Sequence, residues 1–161
     1  MKRTIGLAAL AVILGCGAAS AQQVNVKIGV LTDMASLYAD DTGIGSVIAA
    51  KMAAADFMKD HPKFKVEVVS ADHQNKADIG SQIVNQWIDV DHVDMIADVP
   101  NSGVALAISQ IVAQKNKVFV ASGPASSDLT GPKCQPTTVH WTYDTWMLAN
   151  GTGKAIVKNG G

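Results

Sequence analysis

The chain has 161 residues, of which 48% are apolar and 17% charged, and its formal net charge is -1. That length gives room for one domain of ordinary size, and the apolar share supports a buried core and excludes a disordered chain. A charge balance this even excludes nucleic acid as the main partner, because phosphate binding draws on an excess of Lys and Arg.

Residues 1–21 follow the order of an export signal. Lys2 and Arg3 make a positive start, residues 5–14 form an apolar run too short to span a membrane, and Ala19-Ser20-Ala21 is a small-residue cleavage site before Gln22. A free periplasmic protein is expected. Ile13-Leu14-Gly15-Cys16 resembles a bacterial lipobox, but bulky Leu14 stands where that motif usually has a small residue. Lipid anchoring through Cys16 is therefore the disfavoured reading. Cleavage after Ala21 leaves Cys134 as the only cysteine. An odd cysteine in an exported chain points to a free thiol, an intermolecular bond or a missing partner.

The first strand is predicted over residues 24–31, where Val24, Val26, Ile28 and Val30 alternate with Asn25, Lys27 and Gly29. A polar loop follows, with Asp33, Ser36, Tyr38, Asp40 and Asp41. Asp41 or Thr42 can cap a helix over residues 43–59 whose apolar face is Ile44, Val47, Ile48, Met52 and Ala55. His61-Pro62 stops it. A second strand is predicted over residues 64–70. Asn75 can cap a helix to about Val90, with Ile79, Ile83, Val84, Trp87 and Ile88 as its stripe, and Trp87 belongs to the core. A short apolar strand runs over residues 93–97. Ser102 can cap a helix with Val104, Ala107, Ile108, Ile111 and Val112 on one face, and residues 118–121 form the next strand. Short strands alternating with helices give an α/β fold, a doubly wound parallel sheet with right-handed crossovers.

Beyond it, residues 139–142 look strand-like, Tyr143 and Asp144 make a turn, and a helix is expected over residues 146–158, weakened by Gly151 and Gly153. No strand follows that helix. The chain is expected to be the first half of something larger, divided into residues 1–21 (signal), 22–138 (a ligand-binding lobe) and 139–161 (a crossing segment and the start of a second lobe).

Two polar turns carry the functional reading: Pro100-Asn101-Ser102-Gly103 and Ser122-Gly123-Pro124-Ala125. In open α/β sheets, ligands bind at the carboxyl ends of the strands, where both turns lie. They offer hydroxyls, small side chains and backbone N–H groups, and no acid–base pair or metal set. Tyr38, after the first strand, stands at the same edge and adds an aromatic face suited to a small organic ligand. Asp72, His73 and Asp78 match no usual metal spacing and are read as turn and surface residues, as are Asp89, Asp91, His92 and Asp94. Ser122 lacks the G-x-S-x-G elbow of a nucleophile. Gly43-Ile44-Gly45 lacks the third glycine of a dinucleotide loop, since position 48 is Ile. Neither an enzyme nor a cofactor site is expected.

Three stretches, VKIGVLTDMASLYAD, DVPNSGVALA and VFVASGPASSDLT, resemble the amino-terminal lobe of type I periplasmic binding proteins. The group they are most similar to is the branched-chain amino acid (leucine/isoleucine/valine) binding proteins of ABC importers. The resemblance covers residues 24–158. It implies a two-lobed protein that closes on a ligand, delivers it to an ABC permease in the inner membrane, and has no catalytic role. It also implies that the ligand's carboxylate and ammonium are held by Asn101 or Ser102, by Gly123 to Ala125, and beside the aromatic Tyr38. Two departures bear on the ligand: Ala35-Ser36-Leu37 stands where many relatives have Ser-Gly-Pro, and Ala125 where leucine-binding proteins have threonine. The resemblance implies a branched-chain-type amino acid or a related small carboxylate or amide, and the two departures open the choice to another amino acid, an amide, or an aromatic or aliphatic carboxylate. The alternative is a ligand-sensing module of the same fold that acts through a receptor or regulator.

Overall fold

The computed structural model describes residues 22–161, so the expected signal segment and Cys16 lie outside the described residues. A five-stranded parallel sheet is formed by β1 (Val24–Thr32), β2 (Phe64–Asp72), β3 (Met95–Asp98), β4 (Val118–Ala121) and β5 (Thr138–His140), in the order β2-β1-β3-β4-β5. Three helices connect the first four strands: α1 (Gly43–Asp60), α2 (Ala77–Asp89) and α3 (Ser102–Gln114). The expected doubly wound α/β sheet is what the chain forms.

The strand order fixes where the helices go. The step from β1 to β2 runs one way across the sheet, and the steps to β3 and β4 run the other way. Right-handed crossovers then place α1 on one face and α2 with α3 on the opposite face. That second face holds the core. Val84, Trp87 and Ile88 of α2 meet Val104, Ile108 and Val112 of α3 over Leu31, Ile96 and Phe119 of the strands, all buried. Side chains of this size contribute roughly 1.5–3 kcal/mol each when fully buried. Gly29 serves this packing. A Cβ there would lie 2.5 Å from the Trp87 ring, so the missing side chain lets α2 lie flat on β1.

The α1 face differs from expectation. Ile44, Ile48 and Met52 are 62%, 52% and 63% exposed, and of the expected stripe only Val47 is buried. The side turned to the sheet buries Val47 and Ala54 instead, and Ala50, Ala53 and Phe57 line the gap left between helix and sheet. Alanines allow a closer helix–sheet approach than isoleucines, and α1 carries apolar residues on both sides, so periodicity alone could not choose between them. Beside α1 the face is open. Val26, Ile28, Met95 and Ala97 remain half-buried around an apolar hollow of about 510 Å³.

Two caps also fall elsewhere. Asn75 does not cap α2; its backbone is left-handed (φ 57) and Lys76 precedes the helix without a side-chain cap. Ser102 is the first residue of α3, and Asn101 is the cap, its Oδ1 accepting from the Val104 N–H at 3.0 Å. After β5, Asp144 caps one turn (α4, Thr145–Leu148). A wider π turn (Ala149–Gly153) and α5 (Lys154–Lys158) replace the single expected helix. Gly151 and Gly153 fall inside the π turn.

Gly29→Ala is expected to destabilise the protein by about 1–3 kcal/mol through overpacking against Trp87, measured by urea unfolding. Asn101→Ala should cost about 1 kcal/mol as a lost helix cap, while Ser102→Ala should cost less.

Candidate functional site

The loops at the carboxyl end of the sheet are built from buried polar groups. β1 ends in Val30, Leu31 and Thr32, and Asp33 follows directly, all four 0–1% exposed. Asp33 accepts from the Ser36 N–H (3.0 Å), the Ser36 hydroxyl (2.6 Å) and the Tyr38 N–H (3.0 Å). Burial opposes its charge, but these hydrogen bonds together outweigh burial and hold its carboxyl below the usual range. At the end of β2, Asp72 accepts from Met34 N–H at 3.2 Å and Gln74 N–H at 2.7 Å, tying this loop to its neighbour.

His73 is fully buried, against its reading as a surface residue. Its Nδ1 accepts from the Asn75 N–H at 2.9 Å, which places the proton of the neutral ring on Nε2. Burial keeps the imidazole neutral, against the pull of Asp33, Asp72 and Asp98. Across the next gap, Asn101 Nδ2 donates to Asn75 Oδ1, joining the β2 and β3 loops.

β3 ends in a bent backbone. Asp98 and Val99 have φ of 79° and 63°, and both are buried. A left-handed valine is an outlier for a β-branched residue and stores strain where the chain turns. Burial pushes the Asp98 carboxyl up, opposed in part by the hydroxyls of Thr32, Ser46 and Ser122. The Ser122 hydroxyl donates to Asp98 Oδ1 at 3.4 Å. Gly123 fits only without a side chain, since a Cβ there would lie 2.8 Å from Pro100 Cα and 3.0 Å from Asp98 Oδ1. The β3 and β4 loops therefore touch backbone to backbone. The Ala125 N–H donates to Ser102 Oγ at 3.3 Å, and the Thr145 N–H to the Ala125 carbonyl at 2.8 Å.

These loops enclose a cleft of about 390 Å³ lined by Tyr38, Asp41, Thr42, Pro100, Ser122, Gly123 and Tyr143. Of the six residues singled out in the sequence, Tyr38, Ser122 and Gly123 share its wall. Ser102 and Ala125 stand behind that wall, bonded to each other, and the Asn101 side chain is occupied by its cap and by Asn75. Asp41, Thr42, Pro100 and Tyr143 were not singled out for the site. Tyr143 arrives from beyond β5, far along the chain. Asp33 also went unmarked, although Asp-x-x-Ser directly after a strand is a recognisable Asx-turn pattern.

Larger hollows lie elsewhere. One of about 490 Å³ at the amino ends of the strands is lined by Lys27, Glu67, Asp91 and Asp94. Two of its charged groups, Lys27 and Asp94, are held in ion pairs. Lys27 Nζ donates to the Asp91 carbonyl at 3.1 Å and pairs with Glu67 at 3.6 Å. Asp94 accepts from the Lys27 N–H and pairs with Lys117, contacts that lower its pKa in that order of importance against burial. Among the described residues the carboxyl-end cleft has no such internal pairing, and it lies where open α/β sheets bind ligands. Among the described residues, no group of three His, Cys, Asp or Glu could hold a metal ion.

Comparison with known proteins places this architecture. A family model described as periplasmic binding protein matches residues 25–161. A periplasmic binding protein of Burkholderia mallei is 46% identical with a TM-score of 0.79, over 85% of this chain and 36% of its own. A branched-chain amino acid ABC transporter periplasmic ligand-binding protein of Burkholderia xenovorans is 37% identical with a TM-score of 0.76, over 84% of this chain and 36% of its own. A solute-binding protein of Rhodopseudomonas palustris in complex with 4-hydroxybenzoate shares the fold at 20% identity and a TM-score of 0.70, over 84% of this chain and 36% of its own. No curated protein sequence matches the chain. This chain thus spans 36% of the length of each of these relatives. On the family match over residues 25–161, the chain belongs to the periplasmic binding protein family, with the type I α/β fold.

Proposed function

We propose that this chain forms the amino-terminal lobe of an extracytoplasmic solute-binding component of an ABC importer, and that it binds without catalysis. The observation that carries the reading is the cleft between the β1, β3 and β4 loops. It has aromatic, hydroxyl and backbone groups suited to holding a small molecule. In the proposed assembly a second lobe, preceded by residues 139–161, closes over this cleft, and the closed form docks on a permease in the inner membrane. Family membership supports a periplasmic location.

The ligand we favour is an amino acid of branched-chain type. Among the described residues, Asp41 is the only charged side chain lining the cleft, and Tyr38 and Tyr143 add aromatic faces. A carboxylate with aromatic neighbours suits an ammonium group. The ligand's own carboxylate would meet the Ser122 hydroxyl and the Gly123 backbone on the opposite wall. The relative at 37% identity named for branched-chain amino acids supports this choice over an aromatic acid.

The discriminating pair is leucine and 4-methylpentanoate, which differ only by the ammonium group. Leucine is expected to raise the Tm of the full-length protein, by about 2.7 kcal/mol of added stability at a hundredfold excess over Kd. The 4-methylpentanoate should give a smaller shift. Asp41→Asn should weaken leucine binding about tenfold, or ~1.4 kcal/mol, and leave 4-methylpentanoate binding unchanged. Equal binding of both by the unaltered protein would contradict the ammonium reading. An unchanged melting curve across amino acids and small organic acids would contradict the solute-binding proposal.

A further inference from the structure

We infer that Asp33 is the positioning residue that holds Tyr38 in the wall of the ligand cleft. The inference rests on the proposed ligand site, and it concerns a residue that does not line the cleft itself.

The geometry is specific. Asp33 is wholly shielded from solvent at the end of β1, the strand between β2 and β3. Its two carboxylate oxygens meet three donors, all from the next five residues: Ser36 N–H, Ser36 Oγ–H and Tyr38 N–H. The carbonyl of Tyr38 is held from the other side, accepting from Thr42 N–H at 3.0 Å and from Thr42 Oγ1 at 3.1 Å. Thr42 Oγ1 lies 3.0 Å from Thr32 Oγ1, so this second tie also returns to β1. The Tyr38 backbone is therefore clamped on both sides to the same rigid strand. Met34, between clamp and strand, is tied to β2 through Asp72.

The chemistry requires a carboxylate. Three donors converge on two acceptor oxygens. An asparagine would turn an NH2 group toward a Ser36 or Tyr38 N–H and replace an attraction with a donor facing a donor. Hydrogen bonds to a charged acceptor are about twice as strong as neutral ones. Those bonds also hold the Asp33 carboxyl below its usual range, so the clamp stays charged down to mildly acid pH. The sign follows from the depressed folded-state pKa. The contribution of Asp33 is fully present above its unfolded value of about 4 and is lost as pH falls through the lower folded value.

An ordinary stabilising residue would also weaken the protein when replaced, so the test must read Tyr38 itself. The first measurement is amide exchange in the full-length protein without ligand. Asp33→Asn should speed exchange of the Ser36 and Tyr38 amides by about tenfold or more, while β3 and β4 amides keep their rates. Unchanged exchange at Tyr38 overturns the inference. The second measurement is a double-mutant cycle on leucine affinity, with Asp33→Asn, Tyr38→Ala and both together. Asp33→Asn should weaken binding in the unaltered background and add little once Tyr38 is alanine. Equal losses in both backgrounds would show that Asp33 acts through the lobe at large, and would overturn the inference while leaving the binding function intact. Faster Tyr38 exchange combined with full affinity in Tyr38→Ala would overturn the ligand role of Tyr38, and the cleft-positioning role of Asp33 with it.

Discussion

The site depends on one topological constraint: β1 lies between β2 and β3, and the chain leaves those inner strands toward opposite faces. After β1 it turns to the α1 face, and after β3 to the α2–α3 face. Loops leaving adjacent strands in opposite directions open a crevice between them, the switch point of a doubly wound sheet. Tyr38, Asp41 and Thr42 come from the first loop and Pro100 from the second, with Ser122 and Gly123 closing the side. The parallel pairing of β1 with β3, from Ile28–Met95 to Leu31–Asp98, sets the height of both loops. The cleft follows from the strand order before any side chain contributes chemistry.

Side chains then make the crevice rigid. Loops at a sheet edge are usually mobile, yet these are tied by a chain of polar contacts: Asp33 to Tyr38, Asp72 to Met34, Asn75 to Asn101, Ser102 to Ala125 and Asp98 to Ser122. Buried charge is unfavourable unless hydrogen bonds replace water. Asp33 meets that condition with three donors. Asp98 meets it less well, which is why its carboxyl is pushed up while that of Asp33 is held down. The strained backbone at Asp98 and Val99 belongs to the same arrangement, since it turns Pro100 against Gly123. Rigid walls reduce the ordering that a ligand must impose on binding.

Much of this was legible in the sequence because short parallel strands announce themselves. Residues 118–121 were read as a strand, and β4 has those bounds. Trp87 was rightly placed in the core. Tyr38, Ser122 and Gly123 could be placed at one sheet edge from chain order alone, because every loop that follows a parallel strand emerges there. The failures have physical causes. Asn101 and Ser102 are adjacent and both able to cap, and only the extended backbone at Asn101 decides between them. Asn75 was lost to α2 because its side chain meets Asn101 on another loop, a contact between residues 26 apart that no local pattern encodes. The α1 stripe failed because Ile44, Ile48 and Met52 are as periodic as the alanines that face the sheet. The burial of His73 is not visible in its polar neighbours, because it comes from Gly80 of α2 passing over it and from its N–H bond to the Thr32 carbonyl of β1. Tyr143 could reach the cleft only once β5 had paired with β4.

The proposed function puts ligand at the β1–β3 switch point, and not in the apolar hollow beside α1 or the charged one at the amino ends of the strands. The most direct measurement is hydrogen–deuterium exchange of the full-length protein with and without saturating leucine, resolved by peptide. Ligand is expected to slow exchange in residues 33–43, 98–103 and 121–125, with little change in residues 50–64. Protection confined to residues 50–66 or 91–95, with the carboxyl-end loops unchanged, would contradict it.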